Sequence, residues 1–190
     1  MSFILLGILN SQVTAAAGGP AYDLLETQAL TSTASSVEFT GLGSYSDYQH
    51  LELRCVSKCT QNFVGIRSMQ MQLNSDTSNA YARHTLGSSG ASPFSQASSS
   101  TSQMEVEYAV PTTIAGTDDF GAAIISILDF SNTSKNTTVR SFAGAAAGSS
   151  AQGITFNSGL YTSTNAVTSI KLFASYDFRI GSRFSLYGVK

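Results

Sequence analysis

Apolar and polar residues alternate one for one through most of the chain beyond Tyr22. That period of two belongs to half-buried β-strands rather than to helices, whose apolar stripe returns every three to four residues. In "HLELRCVSK" (50–58), Leu51, Leu53 and Cys55 share one face, and Glu52 and Arg54 the other. "IRSMQMQLN" (66–74) sets Met69, Met71 and Leu73 against Ser68, Gln70 and Gln72, a core face backed by an amide face. "QMEVEYAVP" (103–111) sets Met104, Val106, Tyr108 and Val110 against Glu105 and Glu107, which read as a solvated edge rather than an acid–base pair. Ile170, Leu172 and Ala174 alternate with Lys171 and Phe173, and Phe184 and Leu186 oppose Ser185 and Tyr187, with Gly181 marking a bend or bulge.

Gly, Ser, Asn and Asp clusters punctuate these runs. The most apolar internal run, "DDFGAAIISILDF" (118–130), reads as a strand covered on both faces. Much of the Ser- and Gly-rich "YARHTLGSSGASPFSQASSSTS" (81–102) and the uncharged "AGAAAGSSAQG" (143–153) read as long loops. The pattern predicts nine to eleven short strands and an all-β fold: an antiparallel β-sandwich, jelly-roll-like, formed by residues 22–190 as one domain.

Ahead of that domain, residues 1–21 open with Phe3-Ile4-Leu5-Leu6-Gly7-Ile8-Leu9 and carry no charged side chain before Asp23. Such a stretch, extended or in a short helix, needs a dry site. It lacks the basic leader of a signal peptide and falls short of the ~20 apolar residues that span a bilayer. The sequence therefore predicts an apolar arm that docks on protein, with Phe3, Ile4, Leu5, Leu6, Ile8 and Leu9 as its contacts and no membrane partner.

Charged residues make up 12% of the chain, about half the usual quarter, and Ser, Thr, Asn, Gln and Gly supply the polarity instead. Hydroxyls and amides lose less than charges when covered, which suits a protein that works against other proteins. A net charge of −2 with ten scattered Lys and Arg excludes a phosphate-backbone footprint, so no nucleic-acid partner is expected.

Catalytic and metal chemistry finds little to work with. The only histidines, His50 and His84, sit in no nucleophile motif, and the chain reads as a non-enzyme without a cofactor. Cys55 and Cys59 would lie about 13 Å apart on an extended strand, too far for a disulfide without a turn between them, and read as packed, reduced thiols. No metal site is expected, since zinc needs further ligands and Asp118 and Asp119 lack calcium-loop spacing.

The C-terminal "NAVTSIKLFASYDFRIGSRFSLYGVK" resembles the closing hairpin of a β-sandwich domain widespread in virion proteins of tailed phages, at Val167, Ser169, Ile170, Leu172, Phe178, Gly181, Ser182, Phe184, Leu186, Tyr187 and Gly188. "SSVEFTGL" and "YQHLELR" are similar to that family's first strands, and the two stretches together cover about a third of the chain. The resemblance implies a jelly-roll virion structural protein: a capsid decoration (cement) subunit, trimeric, partnered by the major capsid protein or another virion protein. The alternative it implies is a tail-fibre or receptor-binding module recognising host glycan. For that role Tyr45 and Tyr48 in "GSYSDY" and Tyr161 in "NSGLYTSTN" are the candidate sugar-stacking residues.

Overall fold

A computed structural model of the protein describes residues 21–112, 119–148 and 151–190. The apolar arm lies outside the described residues. Twelve strands are described: β1 (Tyr22–Ala29), β2 (Ala34–Thr40), β3 (His50–Ser57), β4 (Ile66–Leu73), β5 (Tyr81–Ser89), β6 (Ser92–Thr101), β7 (Met104–Pro111), β8 (Gly121–Leu128), β9 (Thr137–Ala147), β10 (Ala151–Tyr161), β11 (Ser169–Phe178) and β12 (Arg183–Val189). A 3-10 turn at Leu42–Tyr45 is the single described helical element.

The strands form two antiparallel sheets, ordered β1-β12-β3-β8-β9-β10-β5-β6 and β2-β11-β4-β7. Eight of them make a jelly roll: β1-β12-β3-β8 faces β2-β11-β4-β7, and the consecutive pairs β1/β2, β3/β4, β7/β8 and β11/β12 each divide between the sheets. The other four are two hairpins inserted into that wrap. Hairpin β9–β10 follows β8, hairpin β5–β6 follows β4, and both extend the first sheet beyond β8. Strand β7, at the edge of the smaller sheet, packs under β8, β9, β10 and β5.

Packing follows the alternation where one face is apolar and the other polar. Leu51, Leu53 and Cys55 of β3, Met69, Met71 and Leu73 of β4, Ile170 and Leu172 of β11, and Phe184 and Leu186 of β12 are all buried between the sheets. Burying each such side chain contributes ~1.5–3 kcal/mol relative to leaving it in water. Gly181, at φ 90, occupies the left-handed turn between β11 and β12.

Three expectations are corrected. Residues 81–102 and 143–153 are not long loops: they form β5–β6, which turns at Gly90 (φ 58), and the turn of β9–β10 at Gly148 (φ 62). Twelve strands therefore replace nine to eleven. The run at 118–130 is not covered on both faces, because Ile125 and Ile127 are buried while Ile124 stands 43% exposed on the outer face of β8.

The third correction concerns Glu105 and Glu107, which do not form a solvated edge. Tyr108 takes a left-handed φ of 54, and three residues of β7 stand between Val106 (opposite Met69) and Val110 (opposite Arg67), where β4 has one. This bulge turns Glu107 inward. There its carboxylate meets Arg83 at 2.6 Å and accepts from Gln96 at 2.7 Å, while Glu105 meets the same guanidinium at 2.6 Å. Gly153 makes the bulge possible, since a Cβ there would come within 2.1 Å of the Tyr108 ring.

Two surface aspartates make the fold acid-sensitive. Hydrogen bonds from Ser78 hold the Asp76 carboxyl below its ordinary 3.8, and Lys135 followed by Gln49 does the same for Asp129. A depressed carboxyl contributes stability that is full above its unfolded value and lost as pH falls through the folded one. Thermal melts will therefore show a drop in midpoint below about pH 4 that shrinks in an Asp76→Asn/Asp129→Asn variant.

Candidate interaction surface

Midway along β5, β9 and β10 the usual patterning is reversed, although Tyr81, Val139, Ala143 and Tyr161 of the same strands still face the core. On β10, Thr155 and Asn157 point into the sandwich while Ile154 and Phe156 point out. On β5, Arg83 and Thr85 point in and Leu86 points out; on β9, Ser141 is buried and Phe142 exposed. The inward polar groups are bonded to one another. Arg83 Nη1 donates to Thr85 Oγ1 at 2.6 Å, Thr85 Oγ1 donates to Asn157 Oδ1 at 2.6 Å, and Asn157 Nδ2 donates to Ser141 Oγ at 2.9 Å. Thr155 Oγ1 donates to the Glu107 carbonyl at 2.7 Å. These bonds satisfy the layer, while Leu86, Phe142, Ile154 and Phe156 of the same strands are left in water.

Register gathers those side chains into a line. Arg54, Ile124, Phe142, Phe156 and Leu86 stand directly opposite one another across β3, β8, β9, β10 and β5. Their exposures decide the reading: 43% for Ile124, 43% for Phe142, 55% for Phe156 and 62% for Leu86. The Phe142 and Phe156 rings stack with centroids 4.7 Å apart, so the line is a continuous ridge rather than scattered residues. One step along the strands, Val56 and Ile154 add a second apolar row, with Ala122 and Gly144 between them.

One step the other way, Ser126, Arg140, Ser158 and His84 form a polar row parallel to the ridge. The ridge and the polar row enclose a shallow groove of about 550 Å³. The groove therefore offers apolar contacts along one wall and hydrogen-bond donors along the other. Single exposed apolar residues are ordinary on protein surfaces, whereas a contiguous patch with a polar rim marks a contact site.

The candidate residues read from the sequence stand elsewhere. Phe3, Ile4, Leu5, Leu6, Ile8 and Leu9 lie outside the described residues. Tyr45 and Tyr48 are partly buried against the core. The Tyr48 hydroxyl donates to Asp23 at 2.9 Å, and its ring fills the space over Gly188, where a Cβ would come within 2.5 Å. Tyr161 is a correction: it is 2% exposed, stacks on Tyr81 at 5.0 Å and donates to Asp76 at 2.9 Å, so its ring offers no face to a sugar.

Cys55 and Cys59 are buried and not joined in a disulfide, and burial pushes the Cys55 thiol up to about 12, far from a reactive thiolate. His50 Nδ1 accepts from the Asp129 backbone N–H at 2.9 Å, and His84 stands exposed in the polar row. Among the described residues no three His, Cys, Asp or Glu side chains come together as a metal site. None of their helices is long and apolar enough to cross a membrane.

The sequence reading missed the ridge altogether. Its one sequence signal was Phe142, Ile154 and Phe156 flanking the Ala/Gly/Ser stretch at 143–153. No family model matches the chain, and neither does any curated protein or solved structure.

Proposed function

We propose that the chain is a structural protein of a phage virion, a capsid decoration subunit that docks on the major capsid protein through Phe3–Leu9 and reinforces the shell. The observation that carries an assembly role is the line of exposed apolar side chains across β8, β9, β10 and β5. A β-sandwich that bonds Arg83, Thr85, Asn157 and Ser141 to one another and leaves Leu86, Ile124, Phe142 and Phe156 in water is built to meet protein. The likeness of residues 165–190 to tailed-phage virion domains supplies the setting. The low share of charge supports the same reading, because such a surface is covered at little desolvation cost.

The subunit acts by binding, as a trimer, without cofactor or turnover. The glycan-binding alternative loses Tyr161 to the core and keeps only the partly buried Tyr45 and Tyr48. A purified particle carrying a labelled copy of this chain, imaged at low resolution, tests the proposal. Density at regular positions on the shell is the expected result; density confined to the tail, or none, would overturn it.

A further inference from the structure

We propose that the ridge and groove on the outer face of β8, β9, β10 and β5 receive the chain's own apolar segment Phe3–Leu9 in the free subunit. Both elements are apolar, and the described residues leave Leu86, Ile124, Phe142 and Phe156 of the ridge exposed. The segment brings six large apolar side chains in seven residues and no charged one, which matches a wall of Ile124, Phe142, Phe156 and Leu86. The opposite wall, Arg140, Ser158, Ser126 and His84, offers donors to the peptide carbonyls that such a segment carries.

The dimensions agree. The ridge from β8 to β5 crosses three strand spacings, about 14 Å. Ile4, Leu6 and Ile8 of an extended segment point to one side and span about 13 Å. The described chain starts at Ala21, whose carbonyl accepts from the Lys190 N–H beside Tyr22 and Val189. From there Phe142 lies four strand spacings across and five residues along, roughly 25 Å over the sheet. Residues 10–20 between segment and domain span up to about 36 Å, so the arm reaches the groove of its own subunit.

A second copy is the poorer occupant. Two such faces brought together would bury Arg140 of both copies in one interface, whereas the segment brings no charge of its own. Docking in cis shields the segment until a shell offers it a larger socket. The inference does not depend on the virion reading, since it concerns the isolated chain alone.

Cross-linking of the full-length chain tests it. With Leu6→Cys on the segment and Ser158→Cys beside the ridge, mild oxidation of a dilute solution will form an intramolecular disulfide at least tenfold faster than in a control pairing Leu6→Cys with Thr40→Cys on the smaller sheet. Buried Cys55 and Cys59 stay out of the reaction. Phe156→Arg, at an exposed position that leaves the fold intact, will reduce the rate to that of the control. Equal rates for the two pairs, a rate unchanged by Phe156→Arg, or a product joining two copies would each overturn the proposal.

Discussion

Arg83→Leu will lower the unfolding free energy by about 3–5 kcal/mol, read as a fall in the urea midpoint with the m-value unchanged. The guanidinium is 10% exposed and bridges two carboxylates, of which Glu107 is 8% exposed and Glu105 33%. Its removal leaves the Glu107 charge inside the sandwich with only Gln96 to solvate it, and strips Thr85 of a donor. Breaking one side of a buried ion pair costs far more than replacing both sides. Glu107→Leu added to Arg83→Leu will therefore recover most of the loss. A double variant no more stable than Arg83→Leu alone would show that packing, and not the stranded charge, sets the cost.

Deleting residues 2–19 will abolish attachment to particles while the sandwich still folds and melts in one cooperative transition. The described core closes without the arm, since Val37, Phe39, Leu51, Ile125, Leu172 and Leu186 bury one another between the sheets. The arm's six apolar side chains at ~1.5–3 kcal/mol each represent roughly 9–18 kcal/mol of gross burial on a partner, before the cost of ordering them. Even half of that exceeds what a rim of Ser and Thr contacts supplies. Sedimentation of shells with full-length and shortened chain measures it: full occupancy by the shortened chain would move the attachment site onto the sandwich itself.

The sequence was legible wherever a strand has one wet and one dry face. β3, β4, β11 and β12 announce their inward residues because a period of two coincides with burial. β6 is silent, since it lies at the sheet edge with Ser, Pro, Gln and Ala and is largely exposed on both sides. Its hairpin with β5 exists through backbone pairing, which side-chain type does not encode. The Tyr108 bulge is silent too: one residue at positive φ turns Glu107 from the solvent face to the core, and no alternation count registers it. The ridge escaped for two reasons. Its members come from positions 86, 124, 142 and 156, which only sheet register brings into line, and beside them Thr85, Ser141 and Asn157 face inward where apolar residues are the rule.

The first and last strands run side by side, with Tyr22 opposite Val189. Anything grafted onto Lys190 thus emerges beside the root of the arm, close to whatever surface holds it, and would crowd the attachment. The Gly90 turn sits at the diagonally opposite corner, five strand spacings or about 24 Å across from β12 and at the other end of the strands. A peptide to be displayed outward belongs in that turn, and the C-terminus is the place for a tag meant to report on seating.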